Sequence, residues 1–248
     1  MSRLPYLRRD DLDGRGRELW DSIVAARGED AVNDEGGLVG PFNAWVYAPE
    51  LGQLIAKLGM VLRSATSLDR RLVDIAILTV GARWKAEYEW WAHARMAREH
   101  GIPAAAIEAI RSGDFPFATD GERLVHTVAL RLATTGRIDE GTYAEARRLL
   151  GDRGMVELVA LCGYYAMVSF TLNAFEVPLP PGRLAHLALQ PARPRPGPVR
   201  AGVTGRQRSG GRHSDRPEES LVPTAVPRAT SRVTVTVHLF DLDDSDVS

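Results

Sequence analysis

Apolar residues recur at helical spacing through most of the chain up to Pro181. Leu19, Trp20, Ile23 and Val24 form one stripe of a 3.6-residue repeat between Asp13 and Arg27, and Gly28 follows as a stop. The same period predicts helices over 49–63 and 68–82. Ser67 is expected to cap the second of these, with Asp69 in the first turn, where negative charge suits the helix dipole. The capping box is absent, because Arg70 stands where it needs Glu or Gln. A helix over 85–100 is closed by Gly101 and Pro103. Further helices are expected over 103–112, 121–134 and 139–150, with a last long one from 151 or 152 to about 175. Residues 28–44 read as a glycine-rich loop whose end, GPFNAW, is a rigid lead into a helix. Strand signals are nearly absent before residue 183, so the expected fold class is all-α, a bundle of antiparallel neighbours with short connections.

Composition changes beyond that point. Ten of the 15 prolines fall between Pro178 and Pro227, amid Arg, Gly, Ser and Thr. The reading is a folded domain over 1–182 and a disordered tail over 183–248. Roughly 180 residues suffice to bury a substantial core. Alternation in Val233–Val237 resembles a strand, but it is isolated. The net charge of −1 gives no reason to expect nucleic acid, and the tail's arginines, followed by an acidic end, read as a solvated linker. The one cysteine, Cys162, lies in the apolar run VELVALCGYYAMVSF, which marks a buried structural thiol and leaves no CxxC pair within the chain. The opening MSRLPYLRRDDLDG has no apolar stretch of signal-peptide type, and 155–175 carries Glu157 and Asn173, so no membrane span is expected and the location is read as cytoplasmic.

Chemistry concentrates in AEYEWWAHARMAREHG, residues 86–101. Glu89 and His93 stand four apart on one helix face, flanked by Trp90 and Trp91. A carboxylate beside an imidazole orients the ring and fixes its tautomer, which suits general acid–base work. The competing reading is an ordinary ion pair on a helix surface, worth a few tenths of a kcal/mol. His100 is seven residues from His93, roughly 10 Å along a helix axis, too far to share one zinc with it. A metal site between Glu89–His93 and Glu122–His126, spaced alike, has no further support, and His126 with Glu122 reads as an edge-of-core pair. Asp74 interrupts the apolar segment LVDIAILTVGA; if the two central helices pack antiparallel, it falls within a water's reach of His93 and forms a carboxylate–water–histidine relay. No GxGxxG, P-loop or GxSxG pattern occurs in the chain.

The segment LDRRLVDIAILTVGARWKAEYEWWAHARMAREHG resembles the carboxymuconolactone decarboxylase family, which includes the alkylhydroperoxidase AhpD-like proteins. GPFNAWVYAPELGQLIAKLG is similar to that family's upstream region, and the likeness covers roughly 15–178. The resemblance implies an AhpD-like helical bundle that forms homo-oligomers, trimers or hexamers, with sites near subunit contacts. The peroxidase branch carries CxxCxxxH; here Ala86 and Glu89 occupy the cysteine positions, His93 the histidine and Asp74 the upstream acid, so dithiol peroxidase activity is not expected. The decarboxylase branch, with a glutamate at the second position, implies a cofactor-free lyase or related proton-transfer enzyme acting on a small carboxylated lactone or similar organic acid. In that reading His93 moves the proton, Glu89 orients it and Asp74 relays through water. Arg83 or Arg70 holds a substrate carboxylate, Trp90 and Asn43 complete the substrate contacts, and neither metal nor organic cofactor is implied. The alternative is a catalytically silent helical oligomer serving binding or assembly.

Overall fold

A computed structural model of the chain describes residues 2–112 and 118–187. The chain divides into two units, Met1–Arg195 and Pro196–Ser248, and every described residue belongs to the first. The expected tail therefore lies outside the described residues, apart from 183–187, and so does the alternating Val233–Val237 segment.

Among the described residues eight α-helices follow one another: α1 (Gly14–Arg27), α2 (Phe42–Trp45), α3 (Pro49–Ser64), α4 (Arg70–Arg83), α5 (Glu87–Glu99), α6 (Ala104–Ser112), α7 (Asp120–Thr135) and α8 (Glu140–Ala174). Among the described residues there is no strand, only an isolated bridge between Val32 and Leu38. Helix α4 is central because its sequence is apolar on every side. Val73 through Gly81 are all buried, and α5, α6, α7 and α8 pack around it. Helices α1 and α3 pack on each other, and α3 also meets α8.

The ends are set by local chemistry. Asp13, Thr119 and Asp139 cap α1, α7 and α8, each accepting from a backbone N–H of the first turn. The expected cap at Ser67 is corrected: Asp69 holds that place, in extended backbone, and accepts from Arg71 N at 2.9 Å. Ser67 instead donates through N and Oγ to Glu157 Oε2, at 2.8 and 2.6 Å, which ties the start of α4 to α8. The two helices expected over 139–150 and 151–175 run as one element broken at Gly151, whose φ of 69° is open to glycine at little cost.

Helix α8 is long and apolar enough to cross a membrane by length and composition, but half of its most apolar stretch is buried in the bundle. That is the setting of a core helix: Leu158 and Leu161 are fully buried, and Cys162 lies beside them at 3% exposure. Past residue 182 the chain still touches the bundle. His186 N and Leu187 N donate to the Glu87 carboxylate at 2.8 and 2.7 Å, and Leu187 is buried.

Candidate functional site

Helix α5 brings Glu89 and His93 together as its spacing requires. His93 Nε2 lies 3.1 Å from Glu89 Oε1, and both residues are buried, at 8% and 4% exposure. The contact is close but off the line of a good hydrogen bond. Glu89 Oε1 and His93 Nδ1 are both without a hydrogen-bond partner among the described residues. A surface ion pair is thereby excluded, since water does not reach these groups freely. Buried polar atoms ordinarily find partners, so two unsatisfied ones on adjacent catalytic-type side chains mark a place arranged for something other than stability.

Asp74 has a different neighbour from the one expected. It is 1% exposed, and its Oδ2 accepts from His100 Nδ1 at 2.6 Å, while Oδ1 has no partner among the described residues. The reason is directional. Helical side chains lean toward their own N-terminus. In an antiparallel pair Asp74 therefore leans toward the C-terminal end of α5, where His100 stands, whereas His93 leans the other way, toward Glu89. Arg70 closes this second centre: Nε approaches His100 Nδ1 at 3.4 Å and Nη1 donates to the Arg63 carbonyl. The described residues thus place a carboxylate–imidazole pair near each end of α5, rather than a single relay.

The other expected contacts are placed as follows. Asn43 is buried and its amide is engaged by the N-terminal segment, donating to Pro5 O at 2.9 Å and accepting from Leu7 N at 3.2 Å. Arg83 is exposed and donates to Thr134 Oγ1 at 3.1 Å, which fastens α4 to α7. Trp90 belongs to the core at 4% exposure. Glu122 is held by Arg71, at 2.9 Å. No group of three or more His, Cys, Asp or Glu stands close enough to hold a metal among the described residues.

Around His93 the structure gathers side chains that the sequence reading did not single out. The Tyr165 ring meets His93 edge-on, with centroids 5.1 Å apart, and Tyr164 meets Tyr165 in the same way at 5.2 Å. Arg63 Nη1 donates to Tyr165 Oη at 3.4 Å, a long bond. The Arg27 guanidinium lies 4.5 Å from the centre of the Phe42 ring. Burial pushes Tyr88 up to about 12, against the pull of Arg27. Burial also raises Tyr164 and Tyr165, against Arg63, so all three phenols are neutral at ordinary pH. Arg27 is moved below its usual range, first by the protein atoms crowding it and next by the like charge of Arg63. The signal available in the sequence was modest: an arginine in the last turn of α1 and of α3, and a Tyr–Tyr pair inside an apolar run.

Two glycines make this arrangement possible. A Cβ on Gly59 would lie 2.1 Å from Tyr164 Oη and 3.0 Å from Arg63 Nη1. Gly40 has a φ of 63°, and a Cβ there would lie 2.8 Å from the Tyr88 ring, which explains the glycine of the GPF turn. A cleft of about 410 Å³ opens elsewhere, at the α8 break, lined by residues such as Tyr143, Arg147 and Asp152, and it includes no member of either pair.

No protein-family profile matches the chain, and no curated protein does. Solved structures do match. The alkylhydroperoxidase AhpD core of an uncharacterized peroxidase-related protein from Ralstonia eutropha JMP134 superposes with a TM-score of 0.60 at 12% identity, over 73% of this chain and 93% of that one. An uncharacterized peroxidase-related protein from Silicibacter sp. TM1040 gives 0.58 at 14% identity, over 71% and 90%. The debrominase Bmp8 C82A, in complex with 2,3,4-tribromopyrrole, gives 0.55 at 13% identity, over 71% and 90%. The chain has the AhpD-like fold, in agreement with the resemblance seen in its central helices.

Proposed function

We propose that this protein is a cofactor-free enzyme of proton-transfer chemistry, a lyase or close relative acting on a small carboxylated lactone or similar organic acid. The observation that carries the reading is the buried Glu89–His93 pair at 3.1 Å, with unsatisfied polar atoms on both residues. In a decarboxylation the bond between the carboxylate and its carbon breaks, CO2 leaves, and the electron pair delocalises into an adjacent carbonyl as an enolate. His93 delivers a proton to that carbon and is left neutral, with the Glu89 carboxylate 3.1 Å from its ring. A neighbouring fold of this kind holds a halogenated pyrrole, which supports a small planar substrate.

The thiol alternative finds little support. Ala86 and Glu89 stand at the cysteine positions, and burial pushes the Cys162 thiol up to about 12, where it is neither a nucleophile nor readily oxidised. Release of CO2 from carboxymuconolactone-type substrates by the wild type and by His93→Ala tests the proposal, and equal rates in both would sink it.

The same reading includes assembly as a trimer or hexamer in the cytoplasm, without nucleic-acid or membrane partners. Exposed apolar residues support assembly: Leu51, Leu54 and Leu58 on α3, and Val156, Val159 and Phe170 on α8. Light scattering at micromolar concentration is expected to give a multiple of the 27.2 kDa chain mass, and Val156→Arg to lower it. A wild-type monomer would contradict this part.

A further inference from the structure

We propose that Ser169 completes the α5 site as a positioning residue, its hydroxyl donating to the Glu89 carboxylate and so fixing that carboxylate against His93. The consequence for turnover rests on the proton-transfer reading above; the hold of the hydroxyl on the pair does not.

Ser169 is 0% exposed, and its Oγ has no hydrogen-bond partner among the described residues. Hydroxyls inside helices ordinarily return to a backbone carbonyl about one turn earlier. Thr79, also buried, donates to Ile75 O at 2.7 Å, and on α8 itself Thr171 donates to Met167 O at 3.1 Å. Ser169 makes no such bond, so its hydroxyl is left for another acceptor. A buried hydroxyl without a partner weakens the fold, and a serine in that position points to a use.

The contacts around it say which acceptor that is. One turn earlier on α8, the Tyr165 ring meets His93 edge-on, with centroids 5.1 Å apart. One turn later, Asn173 Nδ2 donates to Trp84 O, in the turn before α5, at 2.7 Å. Residues 165, 169 and 173 fall on one side of α8. Helices α8 and α5 therefore run antiparallel, with Ser169 midway between the two contacts. The residue midway on the other side is Glu89, four before His93 and five after Trp84. Helix α4 agrees. Ser67 meets Glu157 at its start, and the Trp84 ring meets Phe170 at 4.6 Å at its end, so α4 and α8 run in the same direction. Gly81, three residues before Trp84, then falls at the level of Ser169. A Cβ on Gly81 would lie 3.3 Å from Glu89 Cγ, so Glu89 packs on α4 at that same level.

The chemistry matches the placement. An ionised carboxylate only accepts, and a serine hydroxyl has one proton to donate. Glu89 Oε1 lacks a hydrogen-bond partner among the described residues, as Ser169 Oγ does. Turning χ1 of Ser169 between staggered wells re-aims the hydroxyl without moving the backbone. A carboxylate tied to Ser169 keeps one orientation toward the imidazole, whose Nε2 lies 3.1 Å from Oε1. Without that tie it swings, and His93 loses the fixed ring and tautomer that proton delivery to carbon requires.

The test compares Ser169→Thr with Ser169→Val in the full-length protein, because the two side chains have nearly the same shape and differ by the hydroxyl. The readouts are kcat and KM on carboxymuconolactone-type substrates, and the nitrogen NMR signals of the His93 ring, identified by their loss in His93→Gln. Ser169→Val is expected to lower kcat at least ~10-fold with KM within ~3-fold of wild type, and to shift the His93 signals. Ser169→Thr is expected to stay within ~3-fold of the wild-type kcat and to keep those signals. Ser169→Ala, which removes a single atom, is expected to follow Ser169→Val; Thr171→Val, which removes a hydroxyl already bonded to backbone, is expected to follow wild type. Wild-type kcat and His93 signals in Ser169→Ala would overturn the proposal, as would a Thr variant no better than Val. If the larger side chains prevent folding, the Ala comparison decides alone. A wild type without turnover, but with His93 signals that depend on the hydroxyl, would remove the proton-transfer reading and leave Ser169 as the residue that fixes the pair.

Discussion

Glu89 and His93 share one helix face, but burial is what gives their pairing meaning. An exposed pair of this spacing contributes a few tenths of a kcal/mol and no chemistry. At 4% and 8% exposure, with Glu89 Oε1 and His93 Nδ1 lacking a hydrogen-bond partner among the described residues, the same two residues set a carboxylate beside an imidazole away from bulk water. Asp74 illustrates the converse. Its 2.6 Å bond to His100 commits it to the other end of α5, so its first role is to secure α4 against α5. Asp74→Asn is expected to lose about 1–3 kcal/mol of stability in urea unfolding, by weakening a charge-assisted bond to a buried group. The pH profile of turnover at His93 is expected to keep its shape. A displaced profile with unchanged stability would restore Asp74 to a relay with His93.

At the level of helices, much of the fold was legible. Gly28 and Gly101 stop α1 and α5 with positive φ values of 79° and 83°, and the apolar period of each helix located its body. The errors have identifiable causes. Both Ser67 and Asp69 are good capping residues, and propensity alone does not choose between them; the contact of Ser67 with Glu157, ninety positions away, decides it. Helix α2 has only four residues, too few to show a period. Spacing along α5 placed Glu89 beside His93, because that is a property of one helix. The partner of Asp74 depends on the lean of side chains across two helices, and the Arg27–Arg63–tyrosine group depends on α1, α3, α5 and α8 meeting. None of these is visible as a short-range pattern. Asn43 and Arg83 looked free in sequence because their partners, Pro5 and Leu7 for one and Thr134 for the other, are distant along the chain.

The described part of the molecule stands on one core centred on α4, and the burial of His126 in it carries an expectation about acid stability. His126, at 7% exposure, is pushed below its ordinary value of 6.5 by burial. The unfolded chain therefore binds that proton more readily than the native one. The neutral ring is compatible with the fold above pH 6.5, and stability is lost as pH falls below 6.5 toward the depressed native value. Denaturant midpoints measured from pH 7.5 to pH 5 are expected to fall, and His126→Gln to fall less steeply over the same interval; parallel declines would show that other groups dominate. The core thus holds the histidine on which the expected acid sensitivity rests, while the charged and aromatic groups around His93 surround the proposed chemistry.

That placement is tested most directly by turnover of carboxymuconolactone-type substrates in D2O, comparing wild type with His93→Ala at equal fold content. The expected result is one deuterium on the carbon that lost CO2 and a fall in kcat of about 10²–10⁴-fold in the variant, the range for loss of a positioned general acid. A variant that turns over at the wild-type rate would contradict the assignment of His93 as the group that moves the proton.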